Sequence, residues 1–423
     1  MKLPIFNFLH RLRLIPQANI SVLNSIFTIS LLILPFGYMT IKGVFGILAA
    51  ICLILALLIL MMDTKSVSNF FNQKYSLLIV FTLLAIVLSI FIGQTIRGRF
   101  ILDAYDGPSR LIFALPILIA IYKLKIDFGK TLSLTLPLAL LVILIYAKNE
   151  TLSYPDRLTT HYLDPIFWGN FSIIMGLMCL ASIEETDSVA LKIYKLSGLG
   201  LGVTMSILSQ SRAGWVAALA LIVIWLFINR KQLTLKKLAL YSLLTIAALV
   251  LLYLTVNTFQ SRIDAAISEI INWSNKTQTE SSTGYRLTMW KITTYFFSLS
   301  PWVGYGEYTA LPITDDTYIQ SFADAESIKM IQCCGPHNEI AAHILRSGLL
   351  GITALLATYF LPAYIFLKSK AHQSKSMGII LCMGIFICGF GTEMLGLKIS
   401  YTFYALLLAG LLATSLWKSH EQK

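Results

Sequence analysis

The strongest constraint on this chain is a series of apolar runs, each about 20 residues long, that recurs along most of its length. A helix needs about 20 apolar residues to cross a hydrocarbon core about 30 Å thick. The runs, such as 41–62, are continuous rather than alternating, which argues against a β-barrel. Since 57% of the residues are hydrophobic and 13% are charged, we expect an all-α integral membrane protein instead of soluble domains.

The apolar blocks predict about twelve transmembrane helices, and one long polar stretch interrupts them. We therefore divide the chain into helices 1 to 9 (1–256), a large loop or lid (257–336) and helices 10 to 12 (337–423). The blocks lie at 18–38, 41–62, 75–96, 109–122, 131–147, 165–183, 192–209, 212–228, 237–256, 340–367, 377–393 and 400–417.

Basic residues indicate the orientation, because loops rich in Lys and Arg stay in the cytoplasm. With a cytoplasmic N-terminus, the inner loops carry 19 of the 33 basic residues and 6 of the 21 acidic residues. Their net charge is then +13, against −1 for the rest of the chain. We expect both termini in the cytoplasm and the loop 257–336 outside it, ordered and with helices at 257–273 and 282–298.

The net charge of +12 does not indicate a nucleic-acid-binding protein, since the bases are scattered between apolar runs and form no basic stripe. A metal site is not expected either. The adjacent Asp315 and Asp316 have no supporting ligand nearby and are typical of a solvated turn. Cys333 and Cys334 are expected to stiffen the loop at most, because adjacent cysteines bridge only with strain.

Several arginines at the outer ends of the predicted spans are not explained by topology. Arginine suits phosphate, because its planar fork donates two parallel hydrogen bonds and stays charged. Arg212 and Arg286 are the best candidates, since neither has an acid nearby in sequence. Arg110 is a weaker one, because Asp106 is an i, i+4 partner. For three others, Arg97, Arg99 and Arg262, the simpler interpretation is anchoring to lipid headgroups or a solvated ion pair with a neighbouring acid.

His337 lies where the large loop ends and an apolar helix begins. Pro336 and Glu339 suit a helix start, and the positive end of a helix favours neutral imidazole, the form that a general base needs. A lone histidine is more often a polar residue whose hydrogen bonds are satisfied within the protein than a catalyst. His343 lies six residues further on, at a poor spacing for one shared helix face, and is interpreted as a packing or relay residue.

These motifs resemble the O-antigen ligase family, which groups with O-antigen polymerases and bacterial O-oligosaccharyltransferases. The most specific match is His337 and Asn338, then nine residues, then Gly348-x-x-Gly351. The segments SRAG at 211–214 and GYRLTMW at 284–290 are similar to family motifs as well, and DGPSR at 106–110 looks more like a ligase than a polymerase.

The resemblance implies a twelve-helix C-type glycosyltransferase bundle in the bacterial inner membrane, with a large periplasmic loop. Its members transfer polysaccharide from undecaprenyl pyrophosphate to the lipid A core, without a metal or another cofactor. By this resemblance His337 is the expected base, while Arg212, Arg286 and Arg110 hold the pyrophosphate. Expected partners are the lipid-linked polysaccharide, the lipid A core and membrane lipids, but no nucleic acid.

Two alternatives stay open at this point. An O-antigen polymerase or a protein O-oligosaccharyltransferase would use the same donor with another acceptor. A transporter of lipid-linked oligosaccharides would also have about twelve spans, but it should show repeat symmetry and charges at the middle of the membrane.

Overall fold

The computed structural model describes residues 17–63, 65–150, 157–230, 234–275, 280–313 and 316–421. In these ranges the chain is helical and has no β-strand, which confirms the all-α prediction. The α-helices of the described ranges, numbered in chain order, are α1 (Gln17–Gly37), α2 (Val44–Met62), α3 (Lys65–Phe71), α4 (Ser76–Arg97), α5 (Ser109–Leu124), α6 (Phe128–Asn149), α7 (Pro165–Ala181), α8 (Val189–Ser209), α9 (Arg212–Asn229), α10 (Leu235–Thr255), α11 (Asn257–Ser274), α12 (Ser282–Leu299), α13 (Thr317–Gln320), α14 (Ala325–Cys334), α15 (Glu339–Lys368), α16 (His372–Cys388) and α17 (Lys398–Glu421).

Among the described residues, eight segments are long and apolar enough to cross a membrane: α2, α4, 102–124 (which contains α5), α6, α9, α10, α15 and most of α17. Parts of α1, α7 and α16 form shorter apolar helices of 10–17 residues. The chain is therefore a multi-pass membrane protein, while the count of twelve spans stays a prediction. Each of the twelve apolar blocks overlaps one of these helices or α8.

The predicted block 377–393 differs most from its helix. α16 begins earlier, at His372, and ends at Cys388. Residues 389–393 instead form the turn between α16 and α17, and this turn holds a carboxylate, Glu393. Apolarity alone did not reveal this boundary, because Phe390 and the neighbouring glycines continue the apolar pattern without continuing the helix.

The helices at the centre of the bundle are buried on most sides, as expected for helices surrounded by other helices. In α7 nearly every side chain is buried, including Trp168 and Phe171, because α6, α8, α9 and α16 pack around it. α10 is the opposite case. None of its described side chains is buried, so it stands apart from this core.

The two helices predicted in the large loop are confirmed as α11 and α12, within one residue at each end. The loop also has its own buried cluster, in which Met289, Ile292 and Phe296 of α12 pack with apolar residues of 311–331. Leu345 of α15 completes this cluster and joins it to the bundle. The described part of the loop thus has a buried cluster of its own, while the domain division and the side of the membrane stay predictions.

α15 is broken at Gly348, where φ is 57° and ψ is −139°. A Cβ at this position would lie 2.5 Å from the carbonyl oxygen of Pro301, so the close approach requires glycine. The loop after α12 takes over the backbone pairing at the break. The N–H of Leu349 donates to the carbonyl of Pro301 (2.7 Å), and that of Tyr305 donates to the carbonyl of Leu345 (2.6 Å). The first glycine of the Gly-x-x-Gly motif therefore docks the large loop onto α15.

The orientation can be tested by cysteine labelling in intact spheroplasts. Ser282 lies exposed at the start of α12, so Ser282→Cys should react with a membrane-impermeant thiol reagent before lysis. Thr186→Cys, in the exposed turn between α7 and α8, is the matched control and should react only after lysis. The reverse pattern would invert the predicted topology.

Candidate functional site

The turn that carries His337 is held from both sides. The Asn338 side chain caps α15 by accepting from the N–H of Ala341 (3.0 Å) and donates to the carbonyl of Phe390 (3.2 Å). The indole N–H of Trp290 donates to the carbonyl of Pro336 (3.1 Å). His337 has φ of 48°, which is uncommon for a residue with a side chain and is often found at functional sites.

Arg286 lies four residues, or one helical turn, before Trp290 on α12. Both side chains therefore face the loop segment that carries His337. Within the described part of the chain, Arg286 makes no hydrogen bond or ion pair. Burial lowers its pKa, and the positive charge of Arg212 lowers it further. Because a half-buried guanidinium without a partner is costly, the site is suited to receive an anion.

The fork of Arg212 is already occupied, contrary to the expectation from sequence. It forms two hydrogen bonds to the carboxylate of Glu269 on α11, at 3.1 and 3.2 Å. Thr283 at the start of α12 donates to the same carboxylate through its N–H (3.0 Å) and its hydroxyl. Burial alone would raise the pKa of Glu269, but these contacts hold it below its usual range. The Nε of Arg212 is buried and has no partner.

The turn before Arg212 is fixed by three side chains from other segments. Arg157 donates to the carbonyl of Ser209 (2.8 Å), and Arg262 donates to Gln210 (3.0 Å). Arg262 therefore stabilises this turn and is not simply a lipid anchor. The third contact joins the Ser211 hydroxyl to Asn170 on α7 (2.7 Å).

This turn packs so closely on α7 that one position there tolerates no side chain. A Cβ at Gly169 would lie 1.9 Å from the Ser209 hydroxyl. The end of α8 and the start of α9 can therefore reach α7 only because residue 169 is glycine. Arg212 is held in place by this contact as well as by Glu269.

The electrostatic surroundings of His337 favour the neutral ring. Burial lowers its pKa, and Arg286 lowers it further, against the opposing charges of Asp164 and Glu393. Asp164 also caps α7 by accepting from the N–H of Ile166 (2.7 Å). A neutral imidazole beside an unpaired guanidinium can accept a proton close to where an anion would bind.

Glu393 forms a second charged cluster near His337. Its carboxylate accepts from both terminal nitrogens of Arg346 and from the hydroxyl of Tyr308 (2.8 Å). The guanidinium of Arg346 also lies 4.6 Å from the centre of the Tyr308 ring. His337 thus has Arg286 and Asp164 as one set of charged neighbours and this cluster as another.

The predicted i, i+4 pair of Arg110 and Asp106 is confirmed, with a distance of 3.0 Å. Arg110 also donates to Thr402 (3.4 Å), and none of its contacts involves the residues around His337. Its role in phosphate binding stays a prediction. Arg97, expected at the membrane surface, instead donates to the backbone carbonyls of Val303 and Arg346 and helps to dock the large loop.

An apolar groove of about 700 Å³ runs between α8, α9 and α10. Trp215 and Phe259 line one end of it, and their rings are 4.5 Å apart. Trp215 follows Arg212 by three residues on α9, so this end of the groove lies about one helical turn from Arg212. An open apolar groove of this kind suits an apolar chain.

The acidic and sulfur-containing residues of the loop take structural places. Asp316 caps α13 through the N–H groups of Tyr318 and Ile319 and accepts from the Tyr295 hydroxyl, whereas Asp315 lies outside the described residues. Cys333 and Cys334 form a disulfide at the end of α14. In the described ranges, no group of three or more His, Cys, Asp or Glu residues could hold a metal ion.

Four residues of the site were not found by sequence reasoning: Asp164, Glu269, Arg346 and Glu393. Glu269 lies in an amphipathic helix, where a charged residue is ordinary, and Glu393 lies in a predicted span. Only Arg346 had a usable signal in the sequence, since it falls inside the motif that runs from His337-Asn338 to Gly348-x-x-Gly351.

Residues 198–356 match the family model described as O-antigen ligase. This range contains Arg212, Arg286, His337 and both motif glycines, and the resemblance inferred from sequence is confirmed. An uncharacterized protein of Haemophilus influenzae is 25% identical over 385 residues, which are 87% of this chain and 89% of that protein.

The Arg212 and Glu269 pair should control how firmly α11 is held. Glu269→Gln keeps the size of the side chain but removes its charge, so amide hydrogen exchange in 257–275 should become about tenfold faster. The rate of amide hydrogen exchange in peptides from α7 should not change. Glu280→Gln is the control, because Glu280 is exposed and makes no hydrogen bond or ion pair with the described residues. Equal exchange in both variants would contradict the assignment.

Proposed function

We propose that this chain, which resembles the O-antigen ligase family over residues 198–356, is an O-antigen ligase. It transfers polysaccharide from undecaprenyl pyrophosphate to the lipid A core oligosaccharide at the periplasmic face of the inner membrane. The family implies a glycosyltransferase-like enzyme that acts on lipid-linked polysaccharide. The observation that carries the proposal is the guanidinium of Arg286, which lies beside His337 and makes no hydrogen bond or ion pair with the described residues.

The donor lipid fits the groove and the arginines together. Its apolar chain lies along α8, α9 and α10 and continues into the bilayer, while its pyrophosphate extends beyond Trp215 toward Arg286. Glu269 keeps Arg212 in place and offsets part of its charge. A metal-free transfer is therefore proposed, because fixed guanidinium groups stabilise the charge that grows on the leaving pyrophosphate.

His337 is the proposed base for the acceptor hydroxyl. It takes the proton while the hydroxyl oxygen attacks the anomeric carbon and the bond to pyrophosphate breaks. Attack opposite the leaving group inverts the anomeric centre. The depressed pKa of His337 keeps the ring neutral at physiological pH, so no proton has to leave before it acts.

A transporter is disfavoured because the charged groups gather at one end of the bundle, around the start of α15, and not at mid-helix depth. Polymerase and protein O-oligosaccharyltransferase activities use the same donor chemistry and differ in the acceptor. A deletion strain distinguishes a ligase from these alternatives. A ligase deletion leaves lipid A core without polymer while lipid-linked polymer accumulates at full length. Loss of polymerisation itself would support a polymerase and contradict the proposal.

Arg286→Lys should lower kcat/KM about 10²- to 10³-fold, since an ammonium group cannot make the bidentate contact with phosphate. Arg99→Lys is the matched control, because Arg99 is exposed and lies outside the cluster. The assay uses purified enzyme, lipid-linked donor and excess EDTA. Equal activity of the two variants would contradict the role of Arg286, and a requirement for added magnesium would contradict metal-free transfer.

His337→Gln should lose activity about 10²- to 10⁴-fold, because the amide can donate a hydrogen bond but cannot take up a proton. Activity of the unmodified enzyme should fall as the pH drops through the lowered pKa of His337, with a midpoint below about 6.5. This fall in activity at low pH should be absent from the residual activity of the Gln variant. Near-normal turnover in His337→Gln would make His337 a hydrogen-bond donor and not a base.

A further inference from the structure

A second cavity, the polar pocket, lies at the same end of the bundle as His337. Its volume is about 400 Å³, and its walls come from α4, the loop 101–108, the turn 306–309, α14, α15 and the start of α17. The catalytic proposal above uses none of its lining residues. The pocket is nevertheless rich in polar groups, and Gln94, Asp103, Gln332, Arg346 and Tyr401 are among them.

Two buried polar side chains line this pocket without protein partners. Tyr401 is 4% exposed, and its hydroxyl has no hydrogen-bond partner in the described ranges. His343 is also 4% exposed, and its Nε2 has no partner. The Tyr401 hydroxyl oxygen is not itself buried, so it faces the open space of the pocket. Buried polar atoms are nearly always hydrogen-bonded, so the buried Nε2 of His343 indicates a ligand or ordered water beside it.

The basic groups of the pocket are already engaged, and Asp103 and Glu307 add negative charge to its wall, so the pocket does not suit an anion. Arg97 donates to backbone carbonyls, Arg346 pairs with Glu393, and Lys398 pairs with Asp106. The arginine site at Arg286 is different in this respect, because its guanidinium is free. The pocket instead offers hydroxyl, amide and imidazole groups beside the rings of Tyr308 and Tyr401, which is the mixture that binds sugars.

The pocket adjoins His337 through a shared carboxylate. Glu393 accepts from Tyr308 and Arg346, both of which line the pocket, and its charge also acts on His337. His337 does not itself line the pocket. A sugar bound there therefore has to extend its reacting hydroxyl past Glu393 to reach the imidazole, while the pyrophosphate is held by Arg286.

We propose that the polar pocket binds the terminal sugars of the acceptor oligosaccharide, and that Tyr401 and His343 hydrogen-bond to their hydroxyl groups. This inference rests on the proposed ligase function and adds a binding site for its second substrate. The donor then occupies the apolar groove and the arginine cluster, and the acceptor enters from the opposite side of His337.

The test separates the two substrates kinetically. Ala104→Trp fills the pocket from the loop 101–108, and Tyr401→Phe removes only the free hydroxyl. Both should raise the KM for purified lipid A core about tenfold or more, while the KM for the lipid-linked donor changes less than about twofold. Leu102→Trp is the matched control, since Leu102 lies in the same turn but is 82% exposed and does not line the pocket.

Binding supplies a readout that needs no turnover. Core oligosaccharide, released from lipid A by mild acid, is titrated calorimetrically into the detergent-solubilised full chain, and its affinity should fall about tenfold in Tyr401→Phe. Unchanged acceptor KM and affinity in both pocket variants would overturn the inference, and so would an equal rise in donor KM. Failure of the unmodified enzyme to transfer any polymer would instead contradict the proposed function.

Discussion

The backbone pairing between the broken helix α15 and the loop after α12 is the contact on which the rest of the site depends. A helix interrupted at membrane depth leaves carbonyl and N–H groups that water cannot satisfy. The carbonyl of Pro301 and the N–H of Tyr305 satisfy them here. This docking fixes the large loop against the half-helix that begins just after His337, so one junction positions both the loop arginine and the histidine.

Charge balance explains why so many ionisable groups can share one end of the bundle. Arg212 and Arg346 each face a carboxylate from a distant segment, and Arg97 faces backbone carbonyls. Arg286 makes no such contact with the described residues, although the charges of Glu269 and Asp164 act on it against that of Arg212. It lies where the donor pyrophosphate is proposed to bind, and burial together with the charge of Arg286 lowers the pKa of His337.

The two cavities differ in the way that the two proposed substrates differ. The groove beside α10 is apolar, and α10 has no buried side chain among its described residues, so lipid can reach the groove from the side. The polar pocket is lined by hydroxyl, amide and aromatic groups. In the proposed mechanism, donor and acceptor occupy these separate cavities and meet at His337.

Sequence alone determined the all-helical membrane fold, nearly every helix position and the two loop helices, because apolar length and turn residues are local signals. The roles of Arg286 and His337 stay predictions. Only the tertiary structure decided that Arg212 is paired and that Arg286 is free. Glu269 is 57 residues from Arg212, and Glu393 is 47 residues from Arg346. Which charge meets which depends on how helices far apart in sequence pack together, and no local pattern encodes that.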